Sequence, residues 1–285
     1  MNRRKFLKRT AILGAAVGLP VGLYTWQLEP HWLEFVKIRM PIRNLPDHLV
    51  GKLLMQVSDI HVGDRVDSNY LIRSFRKAQQ YSPDFVVYTG DFVSYKNEEQ
   101  FTQLRDVMSH ALKGTFGTFG VLGNHDYGKK WSEQPVADEI ISILEDSGIK
   151  ILGNTQRESE GLNIIGFDDF WGLNFAPYKV MRDYDADKAN IILCHNPDVC
   201  DLNVWKDHKG WILSGHTHGG QCKPPFLDPP IVPVKNENYS AGKVNLRDER
   251  TLYVNRALGH IMQVRFNVRP EITVFILDRE EEHVV

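Results

Sequence analysis

Five short motifs carry the side chains that could bind metal ions. They supply carboxylate oxygens, one amide oxygen and several imidazole nitrogens. This mixed set suits Mn, Fe, Zn or Co better than Ca, which prefers oxygen ligands alone. The number of groups predicts a site for two adjacent divalent ions. In chain order the motifs are Asp59-Ile60-His61, Gly90-Asp91, Gly123-Asn124-His125-Asp126, Cys194-His195 and Gly215-His216-Thr217-His218.

The spacing within two motifs indicates how the ligands reach the ions. Asp59 and His61 are two residues apart, as are His216 and His218. The period of a β-strand would place each pair on one side of the chain. Asp91 has two carboxylate oxygens and can therefore hold both ions at once.

The charge of such a site predicts its substrate. Two divalent ions contribute +4 and the carboxylates of Asp59 and Asp91 contribute −2, so the site keeps about +2 and attracts an anion such as phosphate. Two ions about 3.5–4 Å apart activate a bridging water and stabilise the attacking and leaving oxygens of a displacement at phosphorus. These residues therefore predict phosphoester hydrolysis.

Each motif follows an apolar run that we expect to be a strand. Ligands of α/β sheets gather beyond the carboxyl ends of their strands, so motifs far apart in sequence can meet at one edge. Helices are expected at 67–81, 97–112 and 133–147. No linker interrupts 33–279, so we expect a single domain over 31–285. The predicted strands are 33–40, 52–57, 85–88, 115–122, 162–167, 190–194, 211–213, 251–255 and 271–278.

Across about residues 48–279 these five motifs resemble those of the calcineurin-like metallophosphoesterases. The resemblance implies a four-layer α/β/β/α sandwich of two packed mixed sheets with flanking helices, and a metal site at the carboxyl ends of the strands. It implies one ion held by Asp59, His61, Asp91 and His218, and a second held by Asp91, Asn124, His195 and His216.

The resemblance also implies a mechanism. A hydroxide bridging the two ions is the nucleophile, and His125 protonates the leaving-group oxygen as general acid. Asp126 orients the His125 imidazole. Ser94 stands where purple acid phosphatases carry a tyrosine, so an Fe–tyrosinate centre is not expected.

The amino terminus, residues 215–221 and the segments 252–256 and 269–273 resemble an exported bacterial branch of this family. That branch is associated with phosphodiesterase activity, so we expect a phosphodiesterase acting on a lipid-, nucleotide- or cell-wall-linked phosphoester. One alternative is a UDP-2,3-diacylglucosamine-type lipid pyrophosphatase. A second is a non-catalytic metal-binding interaction module, although such a module would be expected to have lost ligands and none is missing here.

Residues 1–30 are expected to be a targeting segment. Residues 2–8 resemble a twin-arginine export signal, and the apolar stretch 11–26 is shorter than the roughly 20 residues of a spanning helix. The twin-arginine translocase is then a partner during export. The mature protein is expected in the periplasm, or on the outer face of the inner membrane if the segment is retained as an anchor.

Charge and cysteine content exclude two other classes of protein. The formal net charge is −2, and five basic residues in the first nine leave −7 on the rest of the chain. An acidic body lacks the broad basic surface that nucleic-acid binding requires. Three cysteines without a C-x-x-C pair do not make a disulfide scaffold.

Several other residues were open to two interpretations. The prolines of 224–233 form either a substrate wall or simply a stiff loop, and Phe170-Trp171 contacts either the substrate or the core. Three arginines are candidate phosphate clamps. Met55 and Met262 are expected in the core, and four histidines outside the motifs are expected at the surface or as caps. The arginines are Arg256, Arg265 and Arg269, and the histidines are His110, His208, His260 and His283.

Overall fold

The computed structural model describes residues 3–280, which form twelve strands and five α-helices. The strands are β1 (Glu34–Ile42), β2 (Leu53–Val57), β3 (Phe85–Thr89), β4 (Gly117–Val121), β5 (Lys150–Ile151), β6 (Thr155–Ser159), β7 (Leu162–Gly166), β8 (Ala189–Leu193), β9 (Trp211–Ser214), β10 (Gly242–Asn245), β11 (Thr251–Val254) and β12 (Glu271–Arg279). The helices are α1 (Arg3–Leu23), α2 (Ser68–Gln79), α3 (Glu99–Met108), α4 (Gln134–Asp146) and α5 (Tyr178–Met181).

The strands form two six-stranded mixed sheets. The first has the order β1-β12-β2-β3-β4-β5 and the second β10-β11-β9-β8-β7-β6. β2 to β5 are parallel in the first sheet, and β7, β8, β9 and β11 are parallel in the second. The predicted fold class, two mixed sheets with flanking helices, is confirmed.

Both faces of the central strands are covered, which explains their continuous apolar sequences. Leu54 and Phe85 face the second sheet, where they pack with Ile164 and Ile191. Met55 and its neighbours on the opposite face pack beneath α2, α3 and α4. The outer layer of the second sheet is thinner, because it consists of the four-residue α5, short 3₁₀ turns and loops.

The helices begin and end where local chemistry favours it. The Asp67 side chain accepts a hydrogen bond from the Asn69 N–H and caps α2, as this residue type does at helix starts. After α4, Gly148 takes a φ of +81° that suits glycine. The strands missed from sequence are β5, β6 and β10: β5 has two residues, and β6 and β10 are polar edge strands, so none carries a strong apolar pattern.

The amino-terminal helix projects from the body, and every residue of α1 whose burial is described is exposed. Within residues 3–280, the chain offers no helix with the length and apolarity needed to cross a bilayer. Just after α1 the chain contacts the body, since the Arg265 N–H donates to the Thr25 carbonyl over 2.9 Å and the Val268 N–H donates to Glu29 Oε1 over 2.6 Å. The signal assignment of residues 1–30 and the single domain over 31–285 stay predictions.

Some expected positions were wrong. His208 and His260 are buried rather than superficial: His208 lies beside the Tyr184 hydroxyl, and His260 is bonded to the Arg65 carbonyl. Burial lowers the pKa of each to about 4. Met262 is exposed rather than in the core. These errors share a cause. The burial of these residues depends on how surface loops pack, and loop packing leaves no periodic pattern in the sequence.

The other expectations concern Met55, two further histidines and the cysteines. Met55 is in the core, as expected, and His110 is at the surface. His283 lies outside the described residues. All three cysteines are free, as expected for a chain without a disulfide scaffold.

Candidate metal centre

The seven predicted ligands converge at one edge of the sandwich, where strands of both sheets end. Those that follow β2, β3 and β4 come from the first sheet, and those that follow β8 and β9 come from the second. Every one of the seven side chains is buried. Following β2 to β4 are Asp59, His61, Asp91 and Asn124, and following β8 and β9 are His195, His216 and His218.

Six of these side chains form two compact clusters. Asp59, His61 and His218 make the first, and Asp91, His195 and His216 make the second; within each, ligand atoms lie within 4.8 Å of one another. This division agrees with the two ligand sets that the family resemblance implied.

Asp91 lies between the two clusters. Its Oδ2 is 3.6 Å from His61 Nε2 in the first and 3.2 Å from His195 Nε2 in the second. Its Oδ1 accepts a hydrogen bond from the His125 backbone N–H over 2.9 Å. One carboxylate oxygen therefore faces ligands of both clusters, which is the arrangement a bridging ligand requires.

The backbone that presents the ligands differs from the expected one. Five ligands have a left-handed backbone conformation, so strand alternation is not what aligns Asp59 with His61 or His216 with His218. The two histidines of the last motif even belong to different clusters. Such conformations are costly for residues other than glycine and are concentrated at functional sites. The φ angles are 52° at Asp59, 47° at His61, 55° at Asp91, 72° at His216 and 53° at His218.

Glycine is required where these loops touch. Gly90 has a φ of +89°, and a Cβ there would lie 2.6 Å from the Gly123 nitrogen and 2.7 Å from His195 Nδ1. A Cβ on Gly123 would lie 2.6 Å from the Asp91 nitrogen. The glycines of the Gly-Asp and Gly-Asn motifs thus allow neighbouring ligand loops to pack in direct contact.

Hydrogen bonds on the far side of the rings set which nitrogen faces the centre. The Thr89 carbonyl lies 2.7 Å from His195 Nδ1 and the Pro233 carbonyl lies 3.0 Å from His216 Nε2. A carbonyl can only accept, so those nitrogens carry protons and the opposite nitrogens face the cluster. His61 Nδ1 contacts the Ser94 hydroxyl at 3.1 Å.

The residues fit a pair of divalent ions. The Asn124 Oδ1 atom is buried within the described structure without a hydrogen-bond partner, although buried polar atoms are normally paired. His61 Nε2 and His218 Nε2 lie 3.0 Å apart, as two nitrogens aimed at one ligand would. The Asp59 carboxylate faces His218 Nε2 at 3.2 Å. Metal ions bound here would be coordinated by these unpaired or mutually facing oxygen and nitrogen atoms.

The ionisation of these groups also favours cations. Burial opposes ionisation of both carboxylates, but His218 and His195 lower the pKa of Asp59 to about 2, and His195 and His125 lower that of Asp91 well below its usual value. Burial lowers the pKa of His61 well below its usual value. The centre therefore presents anionic carboxylates and a neutral imidazole.

His125 is half-buried at the mouth of the centre. Its ring centroid lies 5.1 Å from that of His61, and among the described residues its imidazole has no hydrogen-bond partner. The orienting role of Asp126 stays a prediction, because its carboxylate has no hydrogen bond to the His125 ring in the described structure. Asp126 accepts instead from the backbone N–H groups of Phe92, Val93 and Gly123, at 2.8, 3.1 and 2.9 Å. It joins two ligand loops through their main chains.

Two tryptophans border the centre on the side of His125. Trp171 stacks on Trp131 with ring centroids 5.0 Å apart, and its ring meets His216 edge-on at 4.5 Å. Sequence analysis left Trp171 open and missed Trp131. Phe170 packs with the core of the second sheet.

Asp169 also lies near the centre and was missed. It holds Trp171 in place, because its Oδ2 accepts the Trp171 N–H over 2.8 Å. Asp168-Asp169 follows the apolar run 162–167, so the strand-end argument used for the other motifs could have found it.

The three arginines considered as phosphate clamps have structural partners. Arg256 pairs with Glu34 and Glu271. Arg265 is fully buried and donates to backbone carbonyls, and Arg269 lies over the Trp32 ring at 4.4 Å. These contacts do not support a phosphate clamp at any of the three.

Comparison with known proteins gives a consistent assignment. Residues 53–220 match the family described as calcineurin-like phosphoesterase. The chain is 28% identical to UDP-2,3-diacylglucosamine pyrophosphatase LpxG of Chlamydia muridarum, over 94% of this chain and 97% of that protein. It is 29% identical to phosphodiesterase YaeI of Escherichia coli, over 97% and 99% respectively. Among solved structures, the NAD nucleotidase of Haemophilus influenzae matches 73% of this chain and 45% of its own, with a TM-score of 0.45 and 15% identity.

Proposed function

Because the chain belongs to the calcineurin-like phosphoesterase family and is a metallophosphoesterase, we propose that it is a phosphodiesterase acting at the centre between the two sheets. The observation that carries this proposal is the position of Asp91 Oδ2, 3.6 Å from His61 Nε2 and 3.2 Å from His195 Nε2. A carboxylate shared by two ligand clusters is the core of a dinuclear site.

We assign the metal ligands by cluster. Asp59, His61 and His218 would hold one divalent ion, His195 and His216 would hold the other with the Asn124 amide oxygen, and Asp91 would touch both. The mixed oxygen and nitrogen donors suit Mn, Fe or Zn. Bound there, two such ions would supply Lewis-acid polarisation of the phosphoester and an activated water.

The protein's own groups perform the remaining tasks. His125 is the general acid of this proposal: its ring is half-buried at the mouth of the centre and free of hydrogen bonds to described residues, so it can donate a proton to a departing oxygen. The Thr89 and Pro233 carbonyls keep His195 and His216 in fixed tautomers. Asp126 holds the loop after β3 against the loop after β4.

The proposal is tested with the full chain, stripped of metal and reloaded with Mn²⁺. We expect bis(p-nitrophenyl) phosphate to be cleaved with a higher kcat/KM than p-nitrophenyl phosphate, and His125→Asn to lower kcat for the diester. Preference for the monoester would contradict the diester assignment. Cleavage unchanged after Asp91→Ala would contradict the site itself.

A second candidate substrate is a nucleotide-linked lipid pyrophosphate. It is favoured by the near full-length similarity to the Chlamydia pyrophosphatase and by exposed apolar residues beside the centre. The twin-arginine resemblance opposes it, since that substrate is cytoplasmic. Release of UMP from UDP-2,3-diacylglucosamine at a higher kcat/KM than from a chromogenic diester would support the second candidate over the first.

We further propose that residues 1–30 direct export through the twin-arginine translocase, to the periplasm or the outer face of the inner membrane. The motivation is the Arg3-Arg4 pair followed by Phe6-Leu7-Lys8. In spheroplasts, the full chain should be digested by added protease, and replacing both arginines by lysine should protect it. Digestion unaffected by that replacement would contradict the proposed route.

A further inference from the structure

Three segments near the metal centre expose apolar side chains. They are residues 24–32, 221–234 and 261–266, and together we call them the apolar face. Phe226 is fully exposed, while Leu227, Ile231 and Met262 are 63%, 78% and 64% exposed. Monomeric proteins rarely expose large contiguous apolar patches without a function. The other exposed apolar side chains of these segments are Trp26, Leu28, Trp32, Ile261 and Val264.

Hydrogen bonds hold the three segments next to one another. The Gln221 side chain donates to the Met262 and Val264 carbonyls, both at 3.1 Å. The Arg265 N–H donates to the Thr25 carbonyl over 2.9 Å. The start of segment 221–234 and residue 25 of segment 24–32 therefore both lie against 261–266, so the three segments are neighbours at the surface.

This surface adjoins the metal centre. Segment 221–234 begins three residues after the ligand His218, and its Pro233 carbonyl accepts the hydrogen bond from His216. The five prolines of 224–233 restrict the backbone of this segment. The apolar side chains are thus carried by a stiff loop fixed to a metal ligand.

The charge of the apolar face differs from that of the rest of the body. Across its three segments, Lys223 and Asp228 are the charged side chains at the surface, since Glu29 and Arg265 are buried. The segment 24–32 continues from α1, in which five of the first seven residues are basic, whereas the chain beyond residue 9 carries −7. A tryptophan-bearing surface without net charge, which continues into a helix with a basic amino-terminal end, fits a bilayer that contains anionic lipid.

We propose that the apolar face binds the surface of an anionic lipid bilayer and so holds the metal centre beside the lipid head groups. The binding itself is independent of the phosphodiesterase proposal. A second copy of the chain is the other occupant that such a face could have, and sedimentation without lipid distinguishes it from a bilayer. The face also differs from a tether through α1 alone, because residues 226–231 and 261–264 themselves enter the interface.

A site-specific probe separates contact by this face from attachment through α1. In the full chain with Cys222→Ser, an environment-sensitive fluorophore is placed on Phe226→Cys. The matched control carries it on Tyr178→Cys, which is 68% exposed in α5 and outside the apolar face. Vesicles contain equal parts phosphatidylcholine and phosphatidylglycerol, with brominated acyl chains as quencher. We expect strong quenching at position 226 and none at position 178.

Loss of vesicle binding gives a second readout. Replacing Phe226, Leu227 and Ile231 together by serine should lower the fraction bound at least about tenfold, because each large apolar side chain contributes to transfer from water. Replacing the exposed Val50 and Tyr178 by serine is the control and should change little. Unchanged thermal unfolding would show that the triple variant is folded.

Three outcomes would overturn the proposal. One is vesicle-bound protein whose label at 226 is no more quenched than that at 178. Another is the absence of binding to these vesicles by the full chain. The third is a label at 226 already shielded without lipid, together with a dimer in sedimentation, because the face would then be covered by a second copy.

Discussion

The two halves of the metal centre are held by different means. In the second cluster, His195 and His216 are each fixed by a main-chain carbonyl, Thr89 and Pro233. In the first, His61 contacts the Ser94 hydroxyl and His218 Nδ1 is buried without a hydrogen-bond partner in the described structure. A carbonyl fixes both orientation and tautomer, whereas a hydroxyl can donate or accept. The second cluster is therefore more firmly preorganised than the first.

Asp91 joins the two halves, so removing it should have the largest effect. Asp91→Ala deletes the oxygen that faces both clusters. We expect kcat/KM to fall by more than the roughly 10–100-fold loss that follows substitution of a residue hydrogen-bonded to a metal ligand. Bound metal, measured by inductively coupled plasma mass spectrometry, should fall at both positions. Loss of one ion with the other retained would show that Asp91 serves a single cluster.

The two clusters should also respond differently to pH. Burial alone would lower the pKa of His195, but Asp91 and Asp59 raise it well above its usual value, so a metal ion must displace a proton there. His61 is already neutral. Metal affinity of the second cluster should therefore rise with pH as His195 loses its proton, while that of the first changes less.

Calorimetric titration of the stripped protein with Mn²⁺ would resolve the two classes of site. Proton release that accompanies one class alone is the expected result. Equal pH dependence of both classes would contradict the assigned protonation states.

Substituting a residue that contacts a ligand of the first cluster should weaken the binding of one ion without abolishing it. Ser94→Ala deletes the hydroxyl beside His61 Nδ1, and we expect about tenfold weaker binding of one Mn²⁺ ion. Ser94→Thr keeps a hydroxyl and should restore most of the affinity. Equal weakening of both ions would mean that the clusters are not held independently.

Substitution of Asp126 should have a smaller effect. It separates a structural role of this residue from a role in proton transfer. Asp126→Asn leaves one oxygen for three buried N–H groups, and we expect about 1–3 kcal/mol lower stability in urea. The pH–rate profile should stay unchanged, because the Asp126 carboxylate does not touch the His125 ring. A displaced pH–rate profile would instead support the predicted orienting role of Asp126.

The smallest effect is expected at the tryptophan pair. Trp131 stacks on Trp171 beside His125, where an aryl leaving group would depart. Trp131→Leu should raise KM for an aryl diester by about two- to tenfold, with kcat little changed, since aromatic contacts contribute about 0.5–1.5 kcal/mol. Tyr178→Leu is the control at a remote exposed ring. An equal rise in KM for a methyl leaving group would contradict a ring contact.

The convergence of the ligands could be predicted from the sequence because it depends on the direction of the strands that the ligands follow. The predicted apolar runs end at Val57, Cys194 and Leu213, and parallel strands bring such ends to one edge. The backbone of the ligands could not be predicted in the same way. Positive φ at Asp59 and His216 depends on contacts with loops that follow other strands. The two-residue spacing within the motifs equals the period of a strand, so it suggested strand alternation.

Other features that the sequence did not reveal have related causes. The family resemblance implied that Asp126 orients His125, and the sequence did not reveal that its carboxylate accepts from the backbone of the loop after β3. His260 is buried where it contacts the Arg65 carbonyl and the His31 ring, whereas Met262 in the same loop is exposed. Loop packing of this kind has no period, so composition and spacing do not reveal it.

The central claim is that one carboxylate joins two metal sites, and crystallography of the Mn²⁺-loaded protein tests it most directly. Anomalous scattering should show two peaks about 3.5–4 Å apart. One should be bounded by Asp59, His61 and His218 and the other by His195 and His216, with Asp91 in contact with both. A single peak, or two peaks of which Asp91 touches only one, would contradict the account.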